Sequence, residues 1–484
     1  MENFNSSNKA VKGIIWSAVE RFSTQGAQFV ISIILARMIA PHDFGLLAML
    51  TIFISVANIF VDSGFSSALV QKQERTEKDF STVFYFNIVI SILIYLFLFF
   101  LSPFIASFYN EPVLELLTKV ISLNIVINSF AVVQRAILVI RVDFKRQAKF
   151  SLISVLISGF IGIILACNGL NVWALVVQSL LCNILNTFFY ILYVKWTPLV
   201  VFSVTSFKLL FSFGSKLLIS GLINSIYLNL YSLVIGKFYS ATDVGFFNRA
   251  YSLAQFPSSN LVSVMSRAMF PIQCELQNDI IKLKQSFFSY LRFSCFVIFP
   301  LMVGLAFVSK PLILFLLSDT WSEAILPLSI ISFAYMWYPI MHIDSQLLTV
   351  IGRSDLFLKA EVIKKTAGVV ILITTIQYGL FILCLGLFAY SIIDILVIIF
   401  FLKKVIDISF WDHIVNIGPI LLSSLFMGFT IYSFLYLFDN LNNFISLMLA
   451  LFVGVASYSL YCKLLRIKEL SIICCKINSL NTKL

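Results

Sequence analysis

The chain has 484 residues, of which 60% are hydrophobic and only 12% charged, against roughly 25% charged in an average soluble protein. With 50 Phe and 15% aromatics it has too little polar side chain to cover a water-soluble surface, which excludes a soluble globule and makes the bilayer the solvent. The net charge of +11 would suggest nucleic acid in a soluble protein; here it orients membrane helices, and no nucleic-acid partner is expected.

A spanning helix needs about 20 mostly apolar residues. Windows of that size, bounded by charge, Pro, Gly or Asn, fall at 14–37, 44–66, 81–105, 113–138, 150–168, 171–194, 209–236, 244–269, 287–309, 324–350, 357–377, 379–402, 414–437 and 441–462. About fourteen transmembrane helices are therefore predicted, in an all-α integral membrane protein. The first is a retained span, because it carries Glu20 and Arg21 and no small-residue cleavage site follows the early lysines. With the N-terminus inside, three of the 34 Lys and Arg (Arg37, Lys237, Lys310) fall in outer loops and six within spans, and the other 25 are inside when Arg292, Lys359, Lys364 and Lys365 are counted with the inner loops that adjoin their windows. That bias predicts cytoplasmic N- and C-termini and an even number of spans. The loops are short, the longest at about 270–286, and leave no room for a catalytic or nucleotide-binding domain. No Gly-rich phosphate loop with its Lys occurs, so direct ATP drive is not expected, and with such short loops the chain reads as a transporter without a cofactor and not as an enzyme. The eight cysteines lack metal-ligand spacing and an extracytoplasmic pair, so no metal site or disulfide is expected; Cys474 and Cys475 beside the basic tail are a weak lipidation signal.

The sequence repeats itself. ARMIAPHDFG from Ala36 echoes GKFYSATDVG from Gly236, aligning Arg37 with Lys237, Asp43 with Asp243 and Gly45 with Gly245. A second echo, at an offset of 212, sets Arg141 and Asp143 against Arg353 and Asp355. An offset of six spans gives both copies the same orientation. The expected organisation is a six-helix lobe over 1–202, a second over 203–405, and a helix pair with a basic tail over 406–484.

Polar residues inside a bilayer are costly and gather where helices face protein or water. Span 1 carries Glu20, Arg21 and Gln28; span 2 carries Asn58 and Asp62 on one face; span 4 carries Arg135. Span 7 repeats the pattern with Lys216, Asn224, Tyr227 and Tyr231, and span 8 with Asn248, Arg249, Tyr251, Gln255 and Arg267. These residues are the candidate substrate contacts of a central cavity between the lobes. Its cations outnumber its anions, which suits a phosphate or an acidic sugar, and its tyrosines offer faces for sugar rings. Ser, Thr and Asn also glue helices together without a ligand; Arg21 and Arg249 can snorkel or pair structurally, and Asp62, read as near the outer end of span 2, can cap a turn. Glu20, Asp62, His342, Asp344 and Asp394 are candidates for ion coupling, with a structural hydrogen bond as the alternative for each.

Two strings carry a resemblance: LARMIAPHDFGLLAMLTIFISVANIFVDSGFSSALVQ from Leu35, and VGFFNRAYSLAQFPSSNLVSVMSRAMFP from Val244. They resemble the polysaccharide-export branch of the multidrug/oligosaccharidyl-lipid/polysaccharide exporter superfamily, which includes the Wzx-type O-antigen flippases and the colanic and teichuronic acid exporters. The resemblance covers about the first 400 residues. It implies a MATE-like, V-shaped, two-lobed transporter working by alternating access in the bacterial cytoplasmic (inner) membrane. Its substrate would be an undecaprenyl-diphosphate-linked oligosaccharide repeat unit, moved from the inner to the outer leaflet in O-antigen-like or other surface polysaccharide synthesis. Membrane lipids, a polysaccharide polymerase and H+ or Na+ would be its partners, and Arg21, Lys216, Arg249 and Arg267 fit the family's pattern of cavity charges. An ion-coupled multidrug antiporter and a peptidoglycan-precursor flippase are the alternatives on the same fold; a membrane glycosyltransferase or polymerase would need longer outer loops.

Overall fold

The computed structural model describes residues 23–62, 64–438 and 441–470. Glu20, Arg21, Cys474 and Cys475 lie outside them. Among the described residues every regular element is helical, as a chain that must satisfy its backbone groups in lipid requires. By contact the chain divides into two compact units, Met1–Gly245 and Phe246–Leu484.

The N-terminal unit opens with α1, described over 23–38, and α2, Pro41–Asp62. It continues with α3 (Phe65–Gln71), α4 (Glu77–Tyr109), α5 (Val113–Ile121), α6 (Leu123–Ser129), α7 (Val132–Ile140), α8 (Phe144–Cys167), α9 (Asn171–Val194) and α10 (Val204–Phe238). The start of α4 is fixed by a capping box in which the Thr76 hydroxyl accepts from Asp79 N–H and Asp79 accepts from Thr76 N–H. The α8–α9 hairpin packs on α1 through Ile31, Leu35, Val155 and Leu175. A β-carbon on Gly159 would strike Ile31, so that crossing needs a residue without one. Phe65, Leu69, Val83, Val133, Leu138 and Leu210 form a second core that ties α3, α4, α7 and α10 together.

The C-terminal unit takes in most of α11 (Ala241–Glu275), then α12 (Ile280–Phe307), α13 (Ser309–Leu316), α14 (Ile325–Met336), α15 (Tyr338–Val350), α16 (Ser354–Thr375), α17 (Leu380–Ile406), α18 (Phe410–Leu437) and α19 (Asn443–Leu464). Helix α12 packs on α14 and α18, α17 on α14, α15 and α16, and α19 on α18 and α13. Another capping box, Ser409 with Asp412, starts α18.

Ten of these stretches are long and apolar enough to cross a membrane, or eleven when the bent pair formed by α5–α6 and α7 is one span. A multi-pass membrane fold is thereby established, without the count of fourteen. Helices also occupy the eighth and eleventh windows, as α11 and α16, but the Ser, Asn and Gln residues of α11 and the charged residues of α16 keep them out of that set. The expected long connection at 270–286 is only 276–279, because α11 and α12 run on past their apolar stretches.

The first echo marks equivalent places in the structure. Helices α2 and α11 start at Pro41 and Ala241, 200 residues apart as the first motif requires. A methyl on Gly45 would overlap the Ala241 carbonyl, and one on Gly245 would overlap the Pro41 carbonyl, so the two motifs meet backbone to backbone. The fourth and tenth windows are both broken helices, bent by 42° before Val132 in the first case and interrupted at Trp337 in the second. The second echo needs correction. Helices α7 and α15 end at Ile140 and Val350, α8 and α16 start at Phe144 and Ser354, and between them Val142 (φ 57°) corresponds to Gly352 (φ 80°). The true offset there is 210, so Asp143, which caps α8 through Arg146 N–H, corresponds in place to Arg353 and not to Asp355.

Candidate functional site

In the N-terminal unit the expected residues sit on α1, α2, α7 and α10. Gln28, Asp62, Arg135, Lys216 and Asn224 are exposed, and Asn58, Tyr227 and Tyr231 are half-buried. Of the α10 stripe, Lys216 and Asn224 thus stay open while Tyr227 and Tyr231 are partly covered. Helices α2 and α3 break at Gly64 (φ 68°), whose α-carbon sits so close to the Gly214 backbone and the Leu217 side chain that no Cβ fits. That contact sets the end of α2 beside the first half of α10, where Lys216 projects. Asp62 is within charge reach of Arg135, and the Arg135 guanidinium lies 5.9 Å from the Tyr190 ring centroid. Neither Arg135 nor Lys216 has a carboxylate within salt-bridge distance among the described residues. Asp62 ends α2, at the far end from the Arg37 loop; with that loop outside, it belongs to the inner end of its span, not the outer.

In the C-terminal unit Arg249 is buried, its guanidinium 5.4 Å from the centroid of the fully buried Trp321 ring. Packing of that kind makes Arg249 part of the structure whatever else it touches. The Tyr251 hydroxyl accepts a 2.6 Å hydrogen bond from Tyr335. Asn248 and Gln255 are half-buried; Arg267 is exposed and without a carboxylate partner among the described residues.

The most concentrated polar chemistry lies deeper in this unit. Asp344 on α15 and His413 on α18 are both buried, with Oδ2 and Nε2 3.0 Å apart. His413 Nδ1 lies 3.0 Å from the Ser409 carbonyl oxygen, which can only accept, so Nδ1 carries a hydrogen. The bond to Asp344 then needs one more proton, on Nε2 or on the carboxyl. Next along α15, Ser345 Oγ accepts from Lys364 Nζ at 3.3 Å. Lys364, buried on α16, lies 2.5 Å from Glu361 Oε1 and 3.2 Å from Asp394 Oδ1 on α17, and the Tyr390 hydroxyl donates to Asp394 Oδ2 at 3.3 Å. Asp344 and Asp394 were legible in the sequence as intramembrane acids. Lys364, Glu361 and His413 were not, although the i, i+3 spacing of Glu361 and Lys364 was a usable signal.

A cavity of about 460 Å³ opens beside this network, lined among others by Tyr338, His342, Gln346, Glu361, Lys364 and Asp394. The His342 ring stacks on Tyr338 at 5.7 Å with an interplanar angle of 14°. The network thus brings His342 and Asp394 to one place and sets Asp344 behind them, whereas Asp62 belongs to the other unit.

Beyond the span of α19, Arg292 of α12 grips Glu469 with two bonds of 2.6 and 2.8 Å. Burial disfavours the Glu469 carboxylate, but the Arg292 hydrogen bonds outweigh that and hold its pKa below the usual 4.5.

Comparison with known proteins gives these features a context. A family model described as polysaccharide biosynthesis protein matches residues 34–326. The chain is 26% identical over 348 residues to the teichuronic acid biosynthesis protein TuaB of Bacillus subtilis, covering 72% of each chain. It is 26% identical over 362 residues to the lipopolysaccharide biosynthesis protein WzxC of Escherichia coli, covering 74% of this chain and 73% of the other. Among solved structures, the inward closed lipid II flippase MurJ superposes with a TM-score of 0.75 at 17% identity, over 93% of this chain and 98% of that one. An inward-facing multidrug MATE transporter of the MOP superfamily superposes with a TM-score of 0.62 at 15% identity, over 81% of this chain and 98% of that one. At such identities these two structures speak for the fold.

Proposed function

Since this chain belongs to the polysaccharide biosynthesis protein family, we propose that it is a flippase that carries a polyprenyl-diphosphate-linked oligosaccharide from the inner to the outer leaflet of the bacterial cytoplasmic membrane. It works there by alternating access of two six-helix lobes, 1–202 and 203–405, with 406–484 as an added pair and both termini cytoplasmic. The observation that carries this reading is the set of exposed cations on membrane helices, Arg135, Lys216 and Arg267, which have no carboxylate partner among the described residues. A charge at membrane depth without a salt bridge is costly, and a diphosphate would neutralise it with charge-assisted hydrogen bonds. A drug antiporter taking cations would want the opposite sign on these faces. Gln28, Asn58, Asn224, Tyr227, Tyr231, Asn248, Tyr251 and Gln255 supply the neutral contacts.

Coupling is to protons, through Asp344 and His413. The hydrogen-bond geometry of that pair requires a bound proton, while the carboxylate of Asp394 already holds an ammonium where a sodium ion would have to sit. In Asp344→Asn cells, export should no longer respond to a protonophore; a response equal to that of the parent would remove the pair from the cycle.

Mass analysis of lipid-linked oligosaccharides in a deletion strain tests the main reading. Complete repeat units should accumulate while the surface glycan disappears. A strain that keeps its glycan and becomes sensitive to cationic dyes would establish the drug antiporter instead.

A further inference from the structure

The cavity beside Lys364 lies wholly within the C-terminal unit, and its lining selects among the parts of a lipid-linked substrate. Its one lysine, Lys364, is held by Glu361 at 2.5 Å and Asp394 at 3.2 Å, and its other nitrogen base is the imidazole of His342. With one ammonium against two carboxylates the lining carries a net negative charge, which repels a diphosphate. A cation finds no open ligand set either, because the ammonium already occupies the space between the acids.

What remains exposed to the cavity is a mixture of ring faces with hydrogen-bond donors and acceptors. Tyr338 and His342 form a stacked pair in the lining, and Tyr335, outside the lining, backs Tyr338 with ring centroids 5.9 Å apart. Ser345, Gln346 and Thr349 reach the cavity from the same helix, α15. Gln346 is itself held in place, accepting from Ser266 and donating to Gln273 Oε1 at 3.4 Å. Pre-positioned amide and hydroxyl groups around aromatic faces suit a ring that is apolar on its faces and hydroxylated at its edge. The volume of about 460 Å³ is within the range of small-molecule sites, about 300–1,000 Å³.

We propose that this cavity is a saccharide subsite. It receives the neutral sugar rings of the lipid-linked substrate, with Tyr338 and His342 as the stacking platform and Gln346, Glu361 and Ser345 as partners of sugar hydroxyls, while the diphosphate is held elsewhere. The proposal rests on the flippase reading and adds which part of the substrate this unit reads. The lining would then set which glycan is accepted, and the exposed cations would serve any lipid diphosphate alike.

Site-specific photocrosslinking of the full-length protein in cells tests it. Phe270 and Phe357 line the cavity, and Phe381 on α17 is exposed away from it; each is replaced in turn by p-benzoylphenylalanine, a change that keeps an aromatic ring. Cells are fed radiolabelled sugar and irradiated, and the purified protein is treated with mild acid, which hydrolyses the sugar–phosphate bond. Label should join the protein at positions 270 and 357 at least tenfold above position 381, and it should survive the acid. Label that acid removes would show that the lipid diphosphate lies in the cavity, which overturns the subsite and leaves the flippase intact. Label absent from 270 and 357 in protein of normal abundance, in a strain whose deletion accumulates repeat units, likewise overturns only the subsite. If the deletion accumulates none, the flippase reading itself fails first.

Discussion

Two groups of intramembrane charges are handled in opposite ways, the open cations of the N-terminal unit, which Arg267 of the C-terminal unit resembles, and the enclosed network around Lys364 and Asp344. In the N-terminal unit Arg135 and Lys216 are exposed and lack a carboxylate partner among the described residues. In the C-terminal unit Lys364 is buried and bridged by two acids, and Asp344 is buried against His413. A charge that a fold encloses must be answered inside the fold, because burial without a partner costs several kcal/mol. A charge left open can be answered by something that comes and goes. The difference separates groups that hold the protein together from groups available to a ligand.

On a common scale of stability, the contrast predicts a graded series. The largest effect falls on Lys364→Met, which strands Asp394 beside Glu361 and should cost about 3–5 kcal/mol, read as a drop in melting temperature of the detergent-purified protein. Adding Asp394→Leu should recover most of that loss; a double variant as unstable as the single one would show that the bridge is not what Lys364 contributes. Next comes Glu469→Gln, which breaks the grip of Arg292. It should cost about 1.5–3 kcal/mol, towards the low end because Arg292 is partly open to water. The same contact predicts a pH dependence. The pKa of Glu469 is lowered by folding, so its contribution is complete above the usual 4.5 and is lost as the pH falls through the lower folded value. Parent and Glu469→Gln melting curves should therefore converge in acid. At the bottom of the series, Arg135→Ala and Lys216→Ala should change stability by less than about 0.5 kcal/mol, as surface changes do, yet reduce surface glycan at least tenfold. Instability of either variant would erase the contrast between the two groups. Arg249→Ala is a poor probe of the same idea, because removing a side chain packed on Trp321 disturbs the fold as well as any ligand.

Most of the fold was legible because its signals are long. Apolar windows of about twenty residues can hardly be anything but spans, and a motif repeated at an offset of 200 with three matched positions marks the start of both α2 and α11. The shorter echo at Arg141 misled by two residues, since an Arg-x-Asp match says nothing about which residue takes the positive φ; Val142 and Gly352 do that, and Gly was the only visible clue. At the site, isolated acids such as Asp344 and Asp394 stand out in apolar sequence. Lys364 does not, because with Lys365 it reads as one more basic pair near a span boundary, and its partner Asp394 lies across the α16–α17 hairpin. His413 hides in the first turn of α18, where Ser409 and Asp412 make a capping box that explains the local polarity without it. Pairing across helices is a tertiary fact, and hydropathy does not encode it.

The glycines at 45 and 245 touch in a way that constrains both motifs at once. Each excludes a side chain because of the carbonyl that its counterpart's motif places against it, Gly45 with Ala241 and Gly245 with Pro41. Here neither copy can enlarge its glycine without displacing the other's backbone, so each acts as the template that keeps its twin unchanged. A segment packed against its own echo is held twice over, since neither ten-residue motif can take a larger residue at its glycine while the other keeps its backbone in place.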